Sequence, residues 1–286
     1  MTRYGKARTA SERGMALIAV LWLVAALSLM VTGVSGVVRQ ETRALGTAKD
    51  RVNAQAAGDA AVILVLQQLT AERVVIQQWT DTSVNFQGVD IPVSIMPLSG
   101  LININGASLP LLSALLTVGG GLPEGAAQEL AVRILDRRER SSLEGHRPER
   151  FEAIEDLMQV PGIDYDLYAR LAPLVTTASA GSGGSAVNPL AAPFEVLRIL
   201  TNGNDGAAQQ IVASRASGPD GIDLTGLDPS LARAGGGQRR YRVTAKVPMA
   251  DGRVFLVDRS VYFGARSRDG LPWYTFESRQ MLQPTL

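Results

Sequence analysis

Residues 13–39 read RGMALIAVLWLVAALSLMVTGVSGVVR, and no charge falls between Arg13 and Arg39. A helix of about two dozen residues, rising about 1.5 Å at each, reaches roughly 36 Å and can cross a hydrocarbon core of about 30 Å. Ahead of this run lies a polar leader, MTRYGKARTASERG, in which Arg3, Lys6, Arg8 and Arg13 stand against one acid, Glu12. Basic residues before a span hold that end in the cytoplasm. Everything after Val38 is therefore expected on the far side of a membrane.

Three readings compete for the N-terminal segment. A secretory signal has an apolar core of about 7–15 residues followed by a small-residue cleavage site. The run here is too long for that, although Val34-Ser35-Gly36 mimics such a site. A plain anchor requires only the span. A prepilin-type leader requires a short basic segment ending in glycine directly before the span, so that cleavage keeps the span. Arg13-Gly14 followed by Met15-Ala16-Leu17-Ile18 fits this pattern and predicts cleavage between Gly14 and Met15.

Beyond the span, Leu45, Ala48, Val52, Ala56, Ala60, Ile63, Leu66 and Leu69 recur every three or four residues, with charges falling mostly between them. That period predicts an amphipathic helix, and no proline interrupts it. One helix from about Ala16 to Gln78 is expected, half in lipid and half packed on a head. Short alternating runs follow: Val84 to Phe86, the Gln87-Gly88 turn, and Val89 to Ile95, a hairpin in which Pro92 suggests an edge strand. Pro97 to Gly100 then turns the chain into Leu101-Ile102-Asn103-Ile104-Asn105.

Helical signals dominate residues 105–237, with an internal repeat inside them. Ile102-Asn103, Ala107, Leu111-Leu112 and Leu115 are matched by Val187-Asn188, Ala192, Val196-Leu197 and Leu200 at a constant offset. Each copy leads to a second helix ending in arginine, Ala127 to Arg137 and Ala207 to Arg215. The asparagine is a natural turn or capping residue, because its side chain accepts from orphan backbone amides. Between the copies, Phe151 to Leu171 reads as helix, Pro161-Gly162 turn, helix. A Gly/Ser linker at 178–185 and Gly235 to Gly237 punctuate the rest. The last part returns to strands: Tyr241 to Val247, a hairpin turn at Ala250-Asp251-Gly252, Val254 to Val257 through Phe263, and Trp273 to Met281. The fold class predicted is α+β, with a long N-terminal helix on a pilin-like α/β head split by an inserted helical domain.

The totals narrow the chemistry. The chain has 286 residues, room for one or two domains with a substantial core. It has no cysteine, which excludes thiolate nucleophiles, cysteine metal sites and disulfides. A net charge of +1 is too balanced to attract polyanions in bulk, and removing the leader would turn the balance slightly acidic. His146 is the single histidine, set in a charged loop between Gly145 and Arg147, where a solvated role is expected rather than a triad. No spacing suggests zinc, a P-loop or a dinucleotide site. A helix–hairpin–helix turn can hold DNA phosphate through helix N-terminal amides, but Asp164 and Asp166 follow this turn and would repel it. Packing is the expected role of Val160 to Ile163, and no enzymatic activity is expected.

These residues resemble a known family, the K-type minor pseudopilins of type II secretion systems (the GspK family). The resemblance rests on Arg13-Gly14-Met15-Ala16-Leu17-Ile18, on Ser99 to Asn105, on Leu157 to Ile163, on Val187 to Leu200 and on the terminal strand hairpin. It covers nearly the whole chain. It implies residues 1–14 as leader, 15–38 as the transmembrane half of the long helix, and 39–104 as the rest of that helix with the first head strands. Residues 105–237 would be the inserted helical domain and 238–286 the terminal strands. It implies prepilin peptidase as processing partner and N-methylation of Met15. The other minor pseudopilins, of I, J and H type, would be the assembly partners, in the inner membrane with the head in the periplasm. Most pilin-like subunits carry glutamate at the fifth mature position, which is Ala19 here, and K-type subunits lack it. A carboxylate there would neutralise a neighbour's amine inside the membrane, where an unpaired charge is costly. A first subunit at the filament tip can do without it.

The chain departs from the family at one point. K-type heads often bind calcium through an aspartate-rich loop, and calcium takes six to eight oxygens. The matching stretch offers Asp136, Glu139 and Glu144 among several arginines, too few carboxylates and too neutralised. No cofactor is therefore expected. Two other classes stay open: a minor or tip subunit of another type IV filament, a pilus or DNA-uptake machine, and a single-pass anchored binding module without a filament.

Overall fold

A computed structural model describes residues 10–143, 150–177, 186–215, 224, 226–235, 239–264 and 269–283, with the side chains of 10–16, 29–44 and 139–143 outside that description. The chain divides into two compact units, Met1–Ala54 and Gln55–Leu286. The first unit is helix throughout its described residues. It is most of α1, Ala10–Glu72, a single helix of 63 residues. Helix continues because the first proline of the chain is Pro92 and scattered glycines cost only about 1 kcal/mol each. It stops at Glu72, short of the expected Gln78. Arg73 takes a left-handed conformation, φ 51°, and the helix does not resume before the first strand.

In the second unit, a five-stranded antiparallel sheet has the order β1-β2-β5-β6-β7. Its strands are β1 Thr80–Phe86, β2 Val89–Pro97, β5 Arg240–Pro248, β6 Val254–Phe263 and β7 Trp273–Gln283. Strand alternation puts Ile91, Val93 and Ile95, then Tyr241, Val243, Ala245 and Val247, then Phe255, Val257, Val261 and Phe263 on one buried face. The last turns of α1 lie on that face. Ala61, Val62, Val65, Leu66 and Leu69 form its buried stripe, each large side chain contributing about 1.5–3 kcal/mol. Gly58 sets the approach, since a Cβ there would come within 2.5 Å of a Val257 methyl. Asp59 beside it pairs with Arg259 of β6.

Pro92 does not mark an edge strand, because β2 is second in the sheet. The pairing of β2 with β5 begins only at Val93, so Pro92 has a strand beside it on the β1 side alone. The missing amide costs no ladder bond on the other side.

All the shorter helices lie in the chain between β2 and β5. They are α2 Leu109–Ala114, α3 Glu124–Leu143, α4 Tyr165–Leu171, α5 Phe194–Leu200 and α6 Asp205–Ser214. Ile102–Asn103 (β3) does not join the large sheet; it pairs in parallel with Val175–Thr176 (β4), a strand the sequence reading missed. Leu98, Leu101, Ile102 and Ile104 belong to the same core as Leu111, Leu116, Ile134, Leu157 and Leu197. The first half of the expected helix–hairpin–helix unit is a tight 3-10 turn, Ile154–Gln159, rather than an α-helix. It is only six residues long, and Val160 must be extended ahead of Pro161.

The repeat is structural. In each copy an asparagine follows a parallel bridge, Ile102 with Val175 and Val187 with Ala232. Each asparagine side chain then accepts the amide two residues on: Asn105 N to Asn103 Oδ1 at 3.0 Å and Leu190 N to Asn188 Oδ1 at 3.1 Å. An arginine at or near the end of the second helix donates back to matching carbonyls. Arg138 reaches Ile104 and Ala107, and Arg215 reaches Pro189 and Ala192. In the first copy that arginine is Arg138 and not the expected Arg137, whose Nη2 instead donates to Gln159 at 2.6 Å.

Candidate interaction site

The two residues expected to be processed, Gly14 and Met15, lie within α1, and their side chains fall outside the described residues. Ala19 is exposed. Around it Leu17, Ile18, Leu21, Trp22, Leu23 and Leu27 are all more than half exposed, on every side of the helix. A helix apolar all round buries nothing by itself and needs an apolar surrounding. Among the described residues no helix is long and apolar enough to cross a membrane. Within the span expected over 15–38, the side chains of 15, 16 and 29–38 lie outside the description.

His146 and Glu144 also lie outside the described residues, and Glu139 is described only as backbone within α3. Asp136 is exposed on α3. Among the described residues no group of three potential metal ligands comes together.

The Pro-Gly turn is built for packing. Val160 is buried, Gly162 takes a φ of 101° that favours glycine, and Arg133 Nη1 donates to the Pro161 carbonyl at 3.2 Å. Asp164 caps α4 by accepting from Leu167 N at 2.8 Å. Its carboxylate takes one of the first-turn amides and places a negative charge at that helix end. Nearby, burial first and Glu155 second push the Tyr168 hydroxyl up, and that hydroxyl donates to Glu155 at 3.2 Å.

Two asparagines tie the helical segment together, and sequence reasoning gave only one of them a role. Asn188 is buried; its Nδ2 donates to the Gln77 carbonyl at 2.7 Å, and its own amide donates to Ser99 O at 2.7 Å. Asn105 joins three segments: its Nδ2 donates to Phe151 O at 2.9 Å and Thr177 O at 3.2 Å, and its Oδ1 accepts from Phe151 N at 2.8 Å. The partners lie far away in sequence, which is why no local pattern announces the second.

Against the Asn105 clamp the sheet's other face forms a cleft of about 430 Å³. Register sets its floor. Arg240 of β5 stands opposite Tyr262 of β6, and Tyr262 opposite Tyr274 of β7. The Arg240 guanidinium lies 4.9 Å from the Tyr262 ring centroid. A bulge between Ser260 and Val261 leaves Phe276 without a cross-strand partner, and its side chain also lines the cleft. Arg150, Phe151 and Glu152 form the opposite wall. Further along the same face Glu277 gathers charge: it accepts from Ser260 Oγ at 2.8 Å and pairs with Arg279 at 2.6 Å and Arg242 at 3.5 Å.

No protein-family model matches this chain, and no curated protein does. Among solved structures it is similar to a chain of the GspK-GspI-GspJ complex from the enterotoxigenic Escherichia coli type 2 secretion system. The identity is 14% and the TM-score 0.45, over 85% of this chain and 98% of that one.

Proposed function

We propose that this chain is a non-enzymatic assembly subunit of a type IV-like filament, a minor pseudopilin of a type II secretion system that sits at the pseudopilus tip and helps start its assembly. The observation that carries this reading is the unbroken helix Ala10–Glu72. One element holds the Arg13-Gly14 boundary, the uncharged run with its exposed apolar surface, and the stripe from Ala61 to Leu69 that packs on the sheet. A helix of that kind can leave a membrane and stack against copies of itself while carrying a head outside. The family resemblance of Ser99 to Asn105, Leu157 to Ile163 and Val187 to Leu200 supports the K type, and Ala19 in place of an acid supports the tip.

In this reading prepilin peptidase cuts after Gly14 and Met15 is methylated. The mature chain stays in the inner membrane with its head in the periplasm, and the I-, J- and H-type subunits join it through the helix and the head. Mass spectrometry of protein extracted from membranes should find a methylated N-terminus at Met15; a mature chain still beginning at Met1 would remove the prepilin reading. Deleting the gene should abolish export of folded proteins. Intact export with loss of twitching or transformation would assign the subunit to another filament.

A further inference from the structure

We infer that the cleft between the outer face of β5–β7 and the Phe151 segment is a docking site for an extended protein segment that presents a carboxylate next to an apolar side chain. The inference rests on the cleft alone and not on the filament reading.

The cleft has the size of ligand sites, which run from about 300 to 1,000 Å³, and its floor is aromatic: Tyr262, Tyr274 and Phe276. Tyr274 and Phe276 are 52% and 42% exposed, although each is a large ring whose burial would be favourable. Aromatic side chains so placed bind apolar groups with little loss of their own freedom.

The charge in the cleft is uneven. Arg150 and Arg240 line it against one acid, Glu152, and among the described residues neither arginine has an ion-pair partner. Arg240 Nε is sealed from solvent and has no acceptor there. A guanidinium that lines a cleft without an ion-pair partner can offer its remaining N–H groups to a carboxylate entering there.

Backbone geometry makes the occupant a strand. β7 closes one side of the sheet, so its outer amides and carbonyls have no strand beside them among the described residues. An extended segment can add there through main-chain hydrogen bonds while alternate side chains drop toward Phe276 and the arginines. Single-stranded nucleic acid also stacks on aromatic rings, but its charges repeat at every nucleotide and need a track of cations. Here Glu152 stands in the wall and Glu277 lies along the next pair of the sheet, which favours the peptide.

The test uses the full-length protein in detergent micelles and a phage-displayed library of random seven-residue peptides. Enriched peptides should carry Asp or Glu beside an aromatic or aliphatic residue. In fluorescence anisotropy the best of them should bind at least tenfold more tightly than its Asn or Gln counterpart. Arg240→Gln should abolish that preference, and Tyr274→Ala, at an exposed edge position, should weaken binding without disturbing the fold. No acidic enrichment, or a preference that survives Arg240→Gln in a protein with unchanged circular dichroism, would overturn the proposal. So would tighter binding of oligo-dT, or equally tight binding of free phenylacetate, because either would put a different class of ligand in the cleft.

Discussion

Single side chains here are chosen by partners remote in sequence. Tyr241 is the clearest case. It is buried against Phe263, ring centroids 5.7 Å apart, and its hydroxyl is sealed from solvent without a partner in hydrogen-bonding geometry among the described residues. Burial raises its pKa above the ordinary 10.0, and the nearby Ile76 amide and Arg239 offset only part of the rise. Because the folded state holds this proton longer than the unfolded chain, the contribution to stability is complete below pH 10. It is lost as pH rises through the unfolded and then the raised folded value. Tyr241→Phe should leave stability at pH 7 unchanged or slightly higher, since it removes an unsatisfied group. It should also flatten the alkaline fall above pH 10, followed by urea denaturation at stepped pH. An undiminished fall would place the titrating group elsewhere. Arg215 is the opposite kind of residue: burial pushes it down to about 10, so it stays charged at neutral pH and holds two carbonyls of the second repeat.

At the scale of elements, close approach depends on two glycines that act differently. Gly58 brings α1 onto β6, and the clash an alanine would make is with a valine side chain, with the nearest atom 2.5 Å away. Gly100 sits where the chain leaves β2, and its Cβ would meet the backbone of Ala191 at 2.3 Å. Gly58→Ala gains about 1 kcal/mol of helix propensity against an overpacking cost of about 1–3 kcal/mol, a net loss of about 1 kcal/mol. Gly100→Ala has no such gain, and backbone cannot swing aside, so its loss should be about 3 kcal/mol. Thermal denaturation of both variants checks the order; a milder Gly100 variant would contradict the packing argument. Periodicity made both helix and strand legible, but it carries no record of which residue must be small.

For the whole molecule, the register Pro97 with Tyr241 means that the helical segment leaves and re-enters the sheet at adjacent points of neighbouring antiparallel strands. Replacing residues 98–240 with a short Asn-Gly-type turn should therefore let β2 run directly into β5. Hydrogen exchange should still protect β5 and β6, with some loss of stability as Met96 loses its cover; loss of that protection would show that the sheet depends on the insert. Most element types, the α+β class and the Gln87-Gly88 turn could be read from the chain, because each is set by spacing within a few residues, and the repeat could be read because the same local spacing recurs. Gly14 and Met15 are proposed from a local order of charge, glycine and apolar run, and Ala19 from the family resemblance. Tertiary structure alone decided the place of β2 inside the sheet, the β3–β4 pair, the Asn105 clamp and the arginine–aromatic cleft. Each joins segments tens or hundreds of residues apart, and register and the satisfaction of buried polar groups are settled only when those segments meet.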